Sequence, residues 1–229
     1  MKKFCIPYAG GTVEIFNNFK SVVDECVCIE YAGHGTRRKE AYYSTFQEMV
    51  DDVASCINSQ SDVGEAIVLF GYSMGSIVTY ELLAQELLHG DVKYVMIASH
   101  ESPDTKWDSM EFKDKSEVEF FRVIQDMGGF KNLDEKMLEN KFFRKLHFEP
   151  LWADYQLIGD YKMSRQIVLN MPSTFYFSDK DISPKSAKNW ETFLGSKGEI
   201  IQIGNDHFFI NEYYREMGEH MIRKLKNGK

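Results

Sequence analysis

The feature that most constrains this chain is a strand, a sharp turn and a helix that follow one another from residue 66 to residue 88. The apolar, β-branched run at 67–70 predicts a buried strand that stops at Gly71, and helical spacing of apolar residues resumes at Ile77. The residues between them, Gly-Tyr-Ser-Met-Gly, match the pattern G-x-S-x-G around Ser73. Because glycines permit a strained turn that larger side chains would obstruct, this context predicts a serine nucleophile whose hydroxyl points out above the end of a sheet.

Composition excludes several other classes of function. The chain has 229 residues and a formal net charge of −8, which suits one large domain, or one domain with an insertion, and argues against nucleic acid and anionic membranes as partners. The amino terminus lacks the apolar run of a signal peptide, and no segment has the roughly 18 apolar residues that span a bilayer. We therefore expect a cytoplasmic protein that acts away from membranes.

The four cysteines, Cys5, Cys26, Cys28 and Cys56, have no spacing that suggests zinc. Cys26 and Cys28 are two residues apart on one predicted strand, which is too strained a spacing for a disulfide. We expect reduced, mostly buried thiols, and we expect neither a metal nor a cofactor.

Strand and helix patterns alternate along most of the chain, and this alternation predicts an α/β fold with a mostly parallel sheet and helices on both faces. The predicted strands are 4–6, 26–31, 67–70, 92–99, 172–177 and 199–203. Residues 101–163 interrupt the alternation with three predicted helices, 116–127, 134–146 and 149–161. We therefore assign 1–100 and 164–229 to the core and 101–163 to a helical insertion. Its many aromatic residues either pack it onto the sheet or form the apolar underside of a lid over a substrate groove.

A serine hydroxyl needs a base and an orienting carboxylate to become a nucleophile, and after a strand–turn–helix serine these follow in the order Asp or Glu, then His. His207 is the histidine that follows a late strand, so we predict it as the base. The other histidines lie in loops, helices or the insertion where they do not suit this order: His34, His89, His100, His147 and His220. The acid should come from the turn after the preceding strand, where Asp181 is preferred and Asp179 is the alternative. Asp206 is adjacent to His207 itself and is expected to be a turn former.

Two backbone amides are candidates for binding an oxyanion. The Met74 N–H lies at the first turn of the helix after Ser73, where it can face the developing negative charge. The second donor should come from the loop after the first strand, and Ala9 of Pro7-Tyr8-Ala9-Gly10-Gly11 is our candidate. The alternative is that this segment is a simple Gly-Gly turn.

These motifs together resemble the type II thioesterases of nonribosomal peptide and polyketide assembly lines, which are editing members of the α/β-hydrolase superfamily. Besides the serine pentad and the 7–11 loop, residues 33–40 are similar to the G-[RH]-G-x-R-x-x-E segment, and residues 204–209 resemble the G-x-H-F-F ending. The resemblance covers nearly the whole chain and implies an α/β-hydrolase fold. The chain departs from the pattern at Tyr72, where His is common, at Ala32, at Ser178 and by one additional residue in Asn205-Asp206. Tyr72 is expected to narrow the space beside the nucleophile.

The resemblance implies that the substrate is an acyl group in thioester linkage to the phosphopantetheine arm of an acyl or peptidyl carrier protein, and that the enzyme restores misprimed carriers. The residues by themselves support only acyl transfer to water by a protein that we expect to be monomeric. Alternatives are a carboxylesterase or lipase acting on free esters, an acyltransferase, and a non-catalytic carrier-binding module. The acyl chain and the pathway are open at this point.

Overall fold

The computed structural model describes residues 1–105 and 114–227. Its centre is a sheet with the strands β1 (Lys2–Ile6), β2 (Cys26–Cys28), β3 (Ala66–Tyr72), β4 (Asp91–Ala98), β5 (Ser173–Phe177) and β6 (Gly198–Gln202). Their order is β2-β1-β3-β4-β5-β6, and every pair among these described strands is parallel. The predicted α/β class with a parallel sheet is confirmed. Because all strands run the same way, the loops at their carboxyl ends lie along one edge of the sheet.

The helices among the described residues cover both faces of the sheet. They are α1 (Asn17–Lys20), α2 (Phe46–Asn58), α3 (Met74–Ala84), α4 (Glu117–Asp126), α5 (Lys141–Phe143), α6 (Glu149–Asp160), α7 (Pro184–Lys188), α8 (Glu191–Leu194) and α9 (Ile210–Asn227). Residues of α1 and α9 pack on one face, and residues of α2, α3 and α6 pack on the other. No helix in the described part of the chain is long and apolar enough to cross a membrane.

Two hydrophobic cores arise because successive strand side chains point to opposite faces. In β3, Ile67 and Leu69 belong to the core under α2 and α3, whereas Val68 and Phe70 belong to the core under α1 and α9. Both faces of this central strand are therefore buried. This explains why its sequence is a continuous apolar run rather than an alternating one.

The sequence gives a clear start to two of the helices. Thr45 accepts a hydrogen bond from the Glu48 amide at the start of α2, and Ser116 forms a capping box with Glu119 at the start of α4. The single predicted helix at 134–146 is wrong. The chain instead forms a 3₁₀ turn (Glu135–Glu139), then α5 and a π turn (Arg144–Phe148), because Asn140 has an extended backbone and its side chain accepts from the amides of Phe142 and Phe143.

Two predictions near the amino terminus need correction. The sequence pattern at 13–23 predicts a helix, but this stretch forms a 3₁₀ turn (Val13–Phe16) followed by the short α1, because Asn17 and Asn18 are poor helix formers. The cysteines are free thiols, but only Cys5 is buried. Cys26 and Cys28 are half-buried because β2 is an edge strand of the sheet.

The range predicted to be a helical insertion falls in the connection from β4 to β5. Residues 106–113 of the predicted range 101–163 lie outside the described residues, and the described part of that range contains helices and turns but no strand. Its aromatic rings pack on one another, with Phe120 edge-on to Trp152 at 4.9 Å and Phe121 stacked on Phe130 at 5.3 Å between ring centroids. The carboxylate of Glu81 on α3 accepts hydrogen bonds from the Tyr161 hydroxyl and the Ser164 amide, which fixes the end of this segment to the core.

Candidate active site

The turn between β3 and α3 holds Ser73 in a strained conformation. Its φ of 52° and ψ of −120° lie where residues other than glycine are rare. A Cβ atom at Gly71 would lie 2.2 Å from the Gly75 carbonyl oxygen, and one at Gly75 would lie 2.2 Å from the Ile6 carbonyl oxygen. The two glycines are therefore required because the helix begins against the backbone of β3 and β1, and this close packing leaves the serine at the carboxyl edge of the sheet.

His207 lies in the loop after β6, and the Nε2 atom of its imidazole is 3.0 Å from the Ser73 hydroxyl oxygen. The loop is held by Tyr72, whose hydroxyl donates to the carbonyl oxygen of His207 and accepts from the Ile210 amide. Tyr72 was expected to narrow the space beside the nucleophile, but its side chain is fully buried beneath the loop. The expectation was wrong because alternate residues of β3 face opposite sides, and Tyr72 faces the core under α9.

Asp181 lies in the turn after β5, and its Oδ1 is 2.9 Å from Nδ1 of His207. The turn is closed by the Asp181 amide, which donates to the Ser178 carbonyl oxygen. The alternative acid, Asp179, has an exposed side chain two residues earlier. Asp206 accepts from the Phe208 amide and pairs with Lys131, so it acts as a turn former. The structure therefore brings Ser73, His207 and Asp181 into one continuous contact chain.

Ser99 is a member of this site that the sequence analysis missed. Its hydroxyl donates to Asp181 Oδ2 at 2.6 Å and lies 3.2 Å from Nδ1 of His207. It is a non-glycine residue with a positive φ of 58°, directly after β4. Because β4 pairs with β5, the end of β4 lies next to the acid turn. A polar residue at the carboxyl end of that strand was the available signal.

The predicted amide donors lie beside the serine. Met74 is the first residue of α3, and Ala9 lies in the loop after β1. Ala9 lines a cavity of about 350 Å³ together with Ser73 and His207. The Gly10 amide donates to the carboxylate of Asp154 on α6, so it is already occupied. This leaves Ala9 as the better candidate of the two adjacent residues.

A second cavity of about 190 Å³ is also lined by Ser73 and His207. Tyr155 and Met127 line both cavities, so the helical segment at 114–163 forms a wall of each. Burial raises the pKa of the Tyr155 phenol, which is therefore neutral at physiological pH. Among the residues that the structure describes, no group of three or more His, Cys, Asp or Glu side chains could hold a metal ion.

The remaining histidines have other surroundings. His100 lines the smaller cavity, and burial lowers its pKa to about 4, so its imidazole is neutral. His34 contacts Asp154, and His220 contacts Glu199 and the Tyr176 hydroxyl. His89 and His147 lie away from the contact chain of Ser73 and His207, the former near Asn58 and the latter at the wall of the larger cavity.

A serine on a strained strand–helix turn, followed along the chain by an aspartate and a histidine that reach it from later strands of a parallel sheet, is the arrangement of the α/β hydrolases. The fold places this chain in that class. Within the class the chain belongs to the thioesterase domain family, whose family model matches residues 3–227.

Relatives and solved structures agree with this assignment over nearly the whole chain. The gramicidin S biosynthesis protein GrsT of Aneurinibacillus migulanus is 23% identical over 234 residues, which cover 99% of this chain and 89% of GrsT. ClbQ from the colibactin NRPS/PKS pathway has a TM-score of 0.84 at 21% identity, covering 99% of this chain and 97% of ClbQ. YbtT, a type II thioesterase from the yersiniabactin NRPS/PKS biosynthetic pathway, has a TM-score of 0.81 at 18% identity, covering 99% and 93% of the two chains. At these identities the solved structures show a shared fold.

Proposed function

We propose that this protein is a serine thioesterase that hydrolyses acyl groups from the phosphopantetheine arm of carrier proteins and so regenerates misprimed carriers in nonribosomal peptide or polyketide synthesis. The observation that carries the proposal is the contact chain from the Ser73 hydroxyl through His207 to Asp181. Membership of the thioesterase family supports the thioester as the bond that is cleaved. Similarity to proteins whose names place them in gramicidin S and colibactin biosynthesis supports the carrier-bound substrate.

In this mechanism the Ser73 oxygen attacks the thioester carbonyl while Nε2 of His207 takes the hydroxyl proton. The Nδ1–H group of His207 donates to Asp181, which keeps Nε2 unprotonated and aimed at the serine before the attack. After the proton transfer the same carboxylate stabilises the imidazolium. The thiolate of the pantetheine arm leaves and takes a proton, and a water activated by His207 releases the acyl group from Ser73.

The negative charge that develops on the carbonyl oxygen needs donors that are in place before the reaction. We assign this role to the backbone N–H groups of Met74 and Ala9. Thioesters suit such a site, because a thiol is a better leaving group than an alcohol and requires little protonation. The helical segment at 114–163 serves as a lid in this proposal, since its residues line both cavities next to Ser73.

The test is intact-mass measurement of a carrier protein loaded with an acyl-phosphopantetheine arm, before and after incubation with this protein. The expected result is loss of the acyl mass while the arm stays attached. The Ser73→Ala variant should lose essentially all of this activity, because removing the nucleophile of such a triad lowers kcat by about 10⁶. An unchanged acyl-carrier mass with the wild-type protein, or full turnover by Ser73→Ala, contradicts the proposal.

A comparison of substrates separates this proposal from a free-ester hydrolase. We expect kcat/KM to be higher for the carrier-bound thioester than for the same acyl group as a small ester, since carrier contacts add binding that a free ester lacks. The reverse preference would favour a carboxylesterase.

A further inference from the structure

A buried polar cluster outside the Ser73 contact chain joins three separate segments of the chain. Oδ2 of Asp154 on α6 accepts from the Gly10 amide at 2.7 Å and lies 3.0 Å from Nε2 of His34. The other ring nitrogen of His34, Nδ1, is 2.9 Å from the Ala32 carbonyl oxygen. The cluster therefore links the loop after β1, the loop after β2 and the helical segment.

The charge of the His34 imidazole follows from the two groups that it contacts, the Ala32 carbonyl and the Asp154 carboxylate. A carbonyl oxygen and a carboxylate both accept hydrogen bonds, so the two contacts favour the protonated imidazole of His34, in which both ring nitrogens donate. Burial opposes this charge, but the carboxylate of Asp154 and the Ala32 carbonyl outweigh it, so the pKa of His34 is raised. Both residues are 1% exposed. A completely buried ion pair is a poor source of net stability, which suggests a requirement for geometry.

Gly10 connects this cluster to the proposed oxyanion site, because it directly follows Ala9 and both residues line the larger cavity with Ser73. Gly10 has a φ of +70°, and a Cβ atom there would lie 2.7 Å from Cβ of Leu151 on α6. The loop is thus seated against the helix that carries Asp154. Since each residue has only two soft backbone torsions, anchoring the Gly10 N–H restricts the direction of the neighbouring Ala9 N–H.

We propose that Asp154 is a positioning residue that sets the Ala9 N–H toward the oxyanion, by holding the Gly10 N–H, and that His34 holds the carboxylate of Asp154 in place. This inference rests on the proposed function and concerns the same site. The oxyanion site then depends on α6, a helix outside the sheet, and it is complete only while α6 is docked on the loop after β1.

The test compares Asp154→Ala with Asp154→Asn on a small acyl thioester such as an acyl-N-acetylcysteamine. Losing one oxyanion donor lowers kcat by about 10²–10³, and we expect a loss of this order for Asp154→Ala with little change in KM. Asp154→Asn keeps an oxygen acceptor but loses the charge that strengthens the hydrogen bond, so it should show an intermediate loss of about tenfold. Glu149→Gln, a half-exposed carboxylate at the start of the same helix, is the matched control and should keep full activity.

A second measurement separates positioning from a purely structural role. A trifluoromethyl ketone forms a hemiketal with Ser73 that places an oxyanion in the proposed site, whereas the corresponding alcohol does not. The inhibition constant of the ketone should rise by the same factor as kcat/KM falls, while the alcohol binds unchanged. If folded Asp154→Asn keeps the wild-type kcat and the wild-type affinity for the ketone, the inference is overturned. This variant decides the test even if Asp154→Ala does not fold. The ketone binds at Ser73 without a carrier protein. Its inhibition constant therefore tests the role of Asp154 even if the natural substrate is not bound to a carrier.

Discussion

At the scale of single residues, each group that reacts in the proposed mechanism is held by a neighbouring side chain. His207 is fixed through its imidazole by Asp181 and through its carbonyl oxygen by the Tyr72 hydroxyl. Asp181 is fixed in turn by the Ser99 hydroxyl. Such neighbours keep the reacting atoms within the narrow range of geometry that efficient proton transfer requires.

The two candidate acids give opposite predictions. Asp181→Asn should lower kcat by about 10⁴, because an amide stabilises the wrong tautomer of His207. Asp179→Asn should leave kcat close to the wild-type value, since its side chain is exposed and outside the contact chain. Steady-state kinetics on one acyl thioester decide between them, and a larger effect at residue 179 would exchange the two assignments.

Ser99→Ala should lower kcat by about tenfold with little effect on KM. A hydrogen bond to a charged group contributes about 1.5 kcal/mol or more, and a tenfold rate change corresponds to about 1.4 kcal/mol. The control is Ser173→Ala, which removes a buried serine hydroxyl at the start of β5 that contacts none of the three groups. Equal kinetic effects of the two variants would show that Ser99 acts only through packing.

At the scale of elements, the strand–turn–helix unit is fixed by contacts between backbones. α3 begins so close to β1 that the Cα of Gly75 faces the carbonyl oxygens of Ile6 and Pro7. The Ser76 hydroxyl lies within hydrogen-bonding distance of the carbonyl oxygens of Gly71 and Ala98, so this one side chain contacts the ends of two strands. The strain at Ser73 is maintained by this close packing.

Gly75→Ala should destabilise the protein by about 1–3 kcal/mol, as overpacking of a tight site does. The loss should appear although alanine is the better helix former by about 1 kcal/mol. Gly64→Ala is the control, since it has a positive φ of 77° and open space around it, so it carries only backbone strain. Urea unfolding measures both changes, and a stability loss at residue 75 no greater than at residue 64 would contradict the steric argument.

At the scale of the whole molecule, the parallel sheet gathers loops that are far apart in the sequence. The contact between Ser73 and His207 spans 134 residues, and the contact between His34 and Asp154 spans 120. The second contact ties the helical segment to the core. The active-site loops and the helical segment are therefore parts of one packed structure.

The buried ion pair of His34 and Asp154 should make the free energy of unfolding depend on pH. His34 faces Asp154 on α6, Glu30 in its own loop, and the rings of Tyr31 and Tyr42. Its pKa is raised in the folded state above the unfolded value of about 6.5, so the folded state binds the proton more tightly. The stabilisation is therefore fully present below about pH 6.5 and is lost as the pH rises through the raised pKa.

Urea unfolding of the wild-type protein and of His34→Gln across neutral and mildly alkaline pH measures this contribution. The difference in free energy of unfolding between the two proteins should shrink as the pH rises. A difference that is constant or grows with pH would show that His34 is neutral in the folded protein.

The sequence alone determined the elements whose cause is local. The apolar run of β3, the glycines around Ser73 and the capped starts of α2 and α4 are visible in short stretches, because steric limits and helix caps act within a few residues. The order of serine, acid and base along the chain also selected Asp181 and His207, and the structure places the two side chains in contact.

Only the tertiary structure decided which residues support that site. The direction of Tyr72, the hydrogen bond of Ser99 to Asp181 and the pairing of His34 with Asp154 depend on strand order and on how the helical segment docks. These contacts join residues that are distant in sequence, and no local pattern encodes them. The physical reason is that hydrogen bonds of buried side chains are selected by what the fold brings within about 3 Å of them.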